Sequence, residues 1–145
     1  MPLCVVLALV LTISVSLRHA SAEPMDDMIG HVTMLEGTAK VMRNGTDLFL
    51  RLHDVLYAGD MIVTGLDGSV DIILRDSSRF FMGPKTRLRL VQLQTRPAKR
   101  HESRQADAEV EQGKVVIQTG GAKLVVTTPT STIRASNTQF AVEVQ

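Results

Sequence analysis

The sequence predicts a single all-β domain of about ten short strands, an antiparallel meander in a sandwich-like or barrel-like arrangement. Three observations predict this class. Between Val55 and Pro84, short apolar runs alternate with turn clusters of Gly, Asp and Ser, at a spacing too tight for helices. In the middle run Val70, Ile72 and Leu74 form an apolar face and their neighbours form a mixed one, which is typical of a half-buried strand. Asn44-Gly45 between apolar runs indicates a tight hairpin.

Residues 1–22 are predicted to form a secretory signal peptide. The apolar run Leu3 to Leu17 precedes Ala20-Ser21-Ala22, which fits the small-residue preference of signal peptidase. The alternative is an uncleaved membrane anchor, but the run is shorter than the roughly 20 residues that span a bilayer. Removing 22 of the 145 residues leaves 123 and no cysteine, so the apolar core alone must hold the domain together. We expect no membrane span after cleavage.

The domain is predicted to cover residues 29–145, after a mobile polar lead-in over residues 23–28. Its first strands are predicted at Gly30 to Leu35 and at Ala39 to Met42. After the hairpin, Thr46 to Tyr57 favours strand or extended chain, with helix as the alternative. These strands lead into the central apolar runs.

The central runs, Met61 to Val63, Val70 to Leu74 and Phe80 to Met82, are predicted to pair in succession as a meander. The core should form on the face that Val70, Ile72 and Leu74 share. Ile73, on the other face, is expected to matter less for stability.

The C-terminal part continues the all-β pattern. Thr86 to Gln94 predicts a strand whose period slips by one residue, which a bulge between Leu90 and Val91 would explain. Thr95 to Asp107 is polar and predicts a loop. Thr127 to Thr132 favours a protected sheet edge over a hydroxyl-lined ligand surface. Further strands are predicted at Leu124 to Thr128, Thr132 to Ala135 and Gln139 to Val144.

No motif typical of catalysis is present, so we expect a protein that is not an enzyme and has no catalytic residues. His31, His53 and His101 lack the spacing of metal ligands, and no Gly-x-Ser-x-Gly elbow occurs. Gly65 to Gly68 lacks the lysine of a phosphate-binding loop, and Gly120-Gly121 precedes a predicted strand rather than a helix. We therefore expect no cofactor and no metal.

The acidic and aromatic residues also bear on which ligands and partners the protein binds. Asp60, Asp67, Asp71 and Asp76 could offer oxygens to calcium, but aspartate at such positions more often caps turns through its own side chain. With four Phe, one Tyr and no Trp, the chain lacks stacking platforms for single-stranded nucleic acid, so we expect no nucleic-acid partner.

Charge is concentrated in the middle of the chain. Residues 23–74 hold three basic and nine acidic residues, residues 75–104 hold nine and two, and residues 105–145 hold three and four, giving −6, +7 and −1. Two interpretations stay open: a basic surface that binds a partner, or a solvated face that pairs with the acidic N-terminal third. The candidate partner-binding residues are Lys85, Arg87, Arg89, Arg96, Lys99, Arg100 and Arg104.

Several fragments, in order, resemble the FecR domain. The pattern Gly-Asp-x-Ile-x-Thr-Gly of that family is similar to residues 59–65, and its Asp-Gly-Ser turn is similar to residues 76–78. The resemblance covers roughly residues 29–144. Its structural motif positions in this chain are Gly59, Asp60, Thr64, Gly65, Asp76, Asn137, Thr138 and Phe140. Two departures stand out, because Ser77 and Asn137 replace glycines of the family pattern. Asparagine substitutes well for glycine, whereas Ser77 predicts a differently shaped turn.

The resemblance implies an exported module of the bacterial envelope. Some FecR-domain proteins sense occupancy of an iron-siderophore transporter and signal to a sigma factor, but they carry a membrane helix where this chain has its predicted signal peptide. We therefore expect a non-catalytic binding or signalling module, periplasmic or secreted. Its expected partner is an envelope protein or an anionic envelope polymer. The alternatives are a self-associating structural envelope protein and an enzyme with an unrecognised site, and the oligomeric state stays open.

Overall fold

The computed structural model of this protein describes residues 28–96 and 103–145, which form twelve strands and no helix. No helix that could cross a membrane exists in these two ranges. The predicted signal peptide and lead-in lie outside the described residues, apart from Met28, the first residue of β1. The strands are β1 (Met28–Glu36), β2 (Ala39–Arg43), β3 (Thr46–Phe49), β4 (Val55–Tyr57), β5 (Met61–Thr64), β6 (Ser69–Leu74), β7 (Arg79–Met82), β8 (Arg87–Arg96), β9 (Ser103–Gln118), β10 (Lys123–Thr127), β11 (Thr132–Ala135) and β12 (Gln139–Val144).

Strand β9 is shared by two halves of one curled sheet. The order in the first half is β3-β2-β5-β8-β9-β10-β11, and in the second half it is β4-β1-β6-β7-β9-β12. Every described pair is antiparallel except β9 with β10, which is parallel. The predicted all-β class is confirmed.

Strand β9 changes the face that it buries at Gly113. Its buried apolar side chains occupy even positions before this glycine and odd positions after it: Ala106, Ala108, Val110, Val115 and Ile117. Gly113 has a φ of +89°, and the register between β8 and β9 shifts just before it. A glycine in the left-handed region is typical of a bulge. The bulge lets one strand direct side chains from both halves into one core.

The core lies between the two halves of the sheet. Its largest fully buried side chains come from both halves and include Phe80, Leu56, Ile62, Ile72, Leu88 and Leu124. The predicted core face of β6 is confirmed, because Val70 and Ile72 are 0% exposed and Leu74 is 4% exposed. Ile73, on the opposite face, is only partly buried.

Two local predictions are confirmed. Asn44 and Gly45 have φ values of +50° and +76°, as a tight hairpin turn between β2 and β3 requires. The register of β8 shifts between Leu90 and Gln92. Val91 is the extra residue of this bulge and is 41% exposed.

The predicted meander is wrong for the first of its three strands. β6 and β7 form a hairpin, but β5 pairs with β2 and β8 in the first half of the sheet. The physical reason lies in the turn before β6. The Gly65 N–H donates to the Thr38 carbonyl over 2.8 Å, and a Cβ on Gly68 would lie 2.3 Å from that oxygen. This close backbone approach carries the chain across to the second half instead of back along β5.

The predicted loop over Thr95 to Asp107 is wrong at both of its ends. Both flanking strands extend into it, and only residues 97–102 lie outside the described residues. Ala106 and Ala108 are buried, whereas Gln105 is exposed and Asp107 half-buried. Buried and more exposed side chains therefore alternate here, as in a strand. The buried ones are small alanines, so the segment looks polar in sequence.

The segment between β10 and β11 is a hairpin turn. The Thr128 N–H donates to the Ser131 carbonyl over 2.8 Å. Within the described residues β11 pairs only with β10, so it lies at an edge of the first half. Pro129 lies in the turn and not in a strand.

Candidate functional site

The Gly59-Asp60 motif lies in the turn between β4 and β5. Asp60 is 1% exposed, and its carboxylate accepts hydrogen bonds from Arg43 Nε and Nη2 at 2.8 and 2.6 Å and from the Tyr57 N–H at 2.9 Å. Arg43 also lies over the Tyr57 ring, 4.5 Å from its centroid, and donates to the Val55 carbonyl. Asp60 therefore caps a turn and holds β2 against the β4 end.

The Thr64-Gly65 motif joins three backbone segments. Thr64 Oγ1 donates to the Gly83 carbonyl over 2.7 Å and accepts from the Thr86 N–H over 2.9 Å. Gly65 pairs with Thr38, as described above. Thr64 is 3% exposed, so this hydroxyl serves the packing of β5 against the turn that leads into β8.

Asp76 organises the turn between β6 and β7. Its carboxylate accepts from the Ser78 N–H at 2.9 Å and from Ser78 Oγ at 2.6 Å, and Ser78 Oγ accepts from the Gly120 N–H at 2.9 Å. The Gly121 N–H donates to the Asp76 carbonyl. These bonds fix the crossing from β9 to β10. Ser77 has a φ of +69°, the conformation that glycine adopts freely, at a cost of roughly 1–2 kcal/mol for other residues. The serine thus follows a glycine-like turn.

The last motif pins the start of β12. Asn137 has a φ of +50°, in line with its replacement of a glycine. The Thr138 N–H donates to Thr119 Oγ1 over 2.7 Å, and the Thr119 N–H donates to the Thr138 carbonyl over 2.9 Å. Phe140 packs against the core. All these motif positions serve turns, crossings or packing.

A further buried carboxylate, Asp71, lies on the outer face of β6. It accepts hydrogen bonds from Arg79 on β7 and is 4% exposed. The hydrogen bond to Asp71, and then its negative charge, raise the pKa of Arg79 above its ordinary value. The pair ties the two strands of the hairpin together. In the described ranges no group of His, Cys, Asp and Glu side chains is arranged to hold a metal ion.

The predicted basic surface is only partly described. Arg87 and Arg89 lie side by side on the outer face of β8 and meet glutamates of β9. Arg89 Nη2 lies 3.2 Å from Glu111 Oε1, Arg89 Nε lies 3.7 Å from Glu109 Oε2, and Arg87 Nε lies 3.9 Å from Glu111 Oε2. Among the residues that the structure describes, their acidic partners lie on β9 and not in the acidic N-terminal third.

The structure shows little about the other candidate residues of the basic surface. Lys85 is exposed in the turn before β8, with a φ of +52°. Lys99 and Arg100, and the side chains of Arg96 and Arg104, lie outside what the structure describes. The basic surface therefore stays a prediction.

A cleft of about 650 Å³ lies over the outer face of β9, β10 and β11. Its walls include Asp107, Lys123 and Arg134. Asp107 is engaged by Gln92 and Gln105, each at 2.9 Å. Lys123 and Arg134 are both exposed to solvent, so the cleft does not bury either cation.

Exposed apolar side chains gather instead around β3. Leu48 is 44%, Phe49 68%, Leu52 50% and Val55 38% exposed, and we call these four residues the β3 patch. Leu48, Phe49 and Val55 line a groove of about 460 Å³ between β3 and β4. In the described chain β3 pairs only with β2, and β4 pairs only with β1, so the groove lies between two edge strands.

The backbone of β3 also presents free hydrogen-bonding groups. Next to a two-residue turn the flanking pair, Arg43 with Thr46, is hydrogen-bonded, and bonded pairs recur at every second residue. The Leu50 N–H donates to the Ala39 carbonyl over 3.0 Å, which fits this phase. The N–H and C=O groups of Asp47 and Phe49 therefore point away from β2. An edge with free backbone groups can accept another strand.

Sequence reasoning missed this edge. The alternation around Leu48 and Phe49 indicates a strand, but not that the strand lies at the border of the sheet. That position depends on β2 pairing with β5, residues 61–64, which is a long-range contact. Phe49 in a strand with no buried residue is the signal that could have found it.

A family model described as "FecR protein" matches residues 60–145. A solved structure, "Cell surface anchoring domain", is similar to this chain at 32% sequence identity and a TM-score of 0.41, covering 42% of this chain and 82% of that chain. No curated protein matches.

Proposed function

The chain belongs to the FecR protein family, and we propose that it is a non-catalytic, exported module that binds a protein partner in the cell envelope. The binding domain in this proposal is residues 29–145, released into the periplasm or the medium after signal cleavage. The motif residues support the non-catalytic part, because the buried carboxylates of Asp60 and Asp76 are engaged in holding turns.

The β3 patch is the observation that carries the proposal. Exposed apolar side chains that gather in one place mark interaction sites, and an unpaired edge strand is a template for another strand. A partner strand would receive hydrogen bonds from Asp47 and Phe49, and the apolar groove beside them would take its side chains. Phe49, at 68% exposed, would serve as the anchor.

An anionic envelope polymer bound to the basic segment is the second candidate. The net charge of +7 over residues 75–104 favours it, and Arg87 and Arg89 are each 43% exposed. Their glutamate partners weaken this candidate, because they balance part of the charge. The two candidates differ in their response to salt, since screening weakens contacts between exposed charges and leaves apolar contacts intact.

Replacing Phe49 by aspartate is expected to abolish capture of the protein partner. The change removes the apolar anchor and places a second carboxylate next to Asp47. The exported protein would serve as bait in its own envelope fraction, with captured proteins quantified by mass spectrometry. Capture by the unchanged protein should persist in 0.5 M salt, well above the roughly 0.1 M at which the screening length is about 10 Å.

Leu66→Asp is the matched control. Leu66 is 77% exposed in the turn between β5 and β6 and does not line the groove beside β3, so this variant should capture as the unchanged protein does. Full capture by Phe49→Asp would refute the proposal. If salt abolishes capture by the unchanged protein and by Phe49→Asp alike, the basic segment is favoured as the binding surface.

A further inference from the structure

We propose that the partner at the β3 edge is a second copy of this chain, joined edge to edge about a two-fold axis. The inference rests on the proposed function of the β3 patch. The partner is assigned as a second copy because the β3 edge is complementary to itself in its backbone hydrogen-bonding groups, its apolar contacts and its charges.

The backbone restricts how two β3 strands can pair. Only Asp47 and Phe49 present N–H and C=O groups at the free edge, so inter-copy bonds must use these residues. An antiparallel pairing that sets Asp47 opposite Phe49 of the second copy uses both residues twice. In this register Leu48 lies on the axis, in the wider gap between bonded pairs, opposite Leu48 of the second copy.

The side chains fit the same register. The two Leu48 side chains meet at the axis, on the face where β2 pairs Leu48 with the buried Val41. On the other face, Asp47 comes beside Phe49 of the second copy. Lys40 Nζ lies 5.3 Å from the centroid of the Phe49 ring, and β2 pairs Lys40 with Phe49. Asp47 would therefore reach the Lys40 ammonium of the second copy, twice by symmetry.

Neighbouring registers are worse. A shift toward the turn sets Asp47 against Asp47 of the second copy, and like charges directly opposite destabilise a strand pair. A shift the other way needs Arg51 in an extended strand. The Arg51 N–H instead donates to Asp54 Oδ2 over 2.8 Å, and β3 ends at Phe49.

A cysteine at position 48 tests both the partner and the register. Residues opposite each other in a non-bonded antiparallel pair have Cα atoms about 4.5 Å apart, within the range of about 4.4–6.8 Å that a disulfide bridges. In the Cys4→Ser background, Leu48→Cys is expected to form a covalent dimer under mild oxidation, read on a non-reducing gel. Asp47→Cys should stay monomeric, because its symmetry mate is two residues out of register.

The controls separate the possible failures. Leu66→Cys, exposed elsewhere, reports random collision, and bridging as efficient as that of Leu48→Cys would overturn the proposal. Bridging through Asp47→Cys alone would overturn the register. Light scattering on the cysteine-free protein should show a dimer that Phe49→Asp converts to a monomer. A monomer at all concentrations, together with capture of another protein that Phe49→Asp abolishes, would reject the second copy and leave the proposed function intact.

Discussion

Replacing Gly113 by alanine is expected to lower the free energy of unfolding by roughly 2–5 kcal/mol, from left-handed strain and overpacking together. Gly113 has a φ of +89°, and a Cβ there would lie 2.3 Å from Thr86 Oγ1 and 2.7 Å from the Lys85 carbonyl. Thr86 Oγ1 accepts from the Lys114 N–H, so the clash would also disturb a turn. Denaturation in guanidinium chloride measures the loss.

Gly45→Ala is the control for this prediction. Gly45 also has a positive φ, of +76°, but nothing lies within 4 Å of its added Cβ. Gly45→Ala should therefore lower the free energy of unfolding only by the cost of the left-handed conformation, roughly 1–2 kcal/mol. Equal losses in the two variants would show that the bend in β9 does not need the close approach of Thr86.

Replacing Phe80 by alanine is expected to cost about 3–5 kcal/mol, because it leaves a large cavity in the core between the two halves of the sheet. Phe80 is 0% exposed, whereas its neighbour Phe81 points to the outer face and is 40% exposed. Phe81→Ala should therefore cost much less, about 1 kcal/mol. Thermal unfolding of both variants makes the comparison. If the two lose the same stability, both faces of β7 are covered and the core described here is wrong.

Local features of the fold could be predicted because neighbouring residues encode them. The Asn44-Gly45 turn needs two residues that tolerate positive φ, and the slip of apolar period near Leu90 requires a bulge. The buried face of β6 follows from the apolar residues at every second position, Val70, Ile72 and Leu74. None of these depends on which strands become neighbours.

Long-range pairing could not be predicted in the same way. β5 looks like the first strand of a meander, but its partners are β2 and β8. The sequence pattern does not indicate the N-terminal part of β9 as a strand. Its buried positions are Ala106 and Ala108, whose small side chains add little apolar character to the pattern. The parallel pairing of β9 with β10 joins residues 105–109 to residues 123–127, and no local pattern marks it.

The candidate site likewise has features that the sequence shows directly and features that depend on which strands pair. The charge excess around Arg87 and Arg89 is visible in the sequence, but their contacts with Glu109 and Glu111 depend on the β8 and β9 register. The β3 patch needs the whole strand order, since an exposed Phe49 has meaning only once β3 is known to be an edge. Predicting the surface therefore required the topology first.

Residue-resolved amide hydrogen exchange tests the edge most directly. The exported protein would be compared dilute and concentrated, or with and without its captured partner. The account predicts that the Asp47 and Phe49 amides exchange rapidly in the dilute protein and slowly on association, while the Leu48 amide, bonded to β2, is protected throughout. Unchanged exchange at Asp47 and Phe49, with new protection on β8 instead, would contradict it.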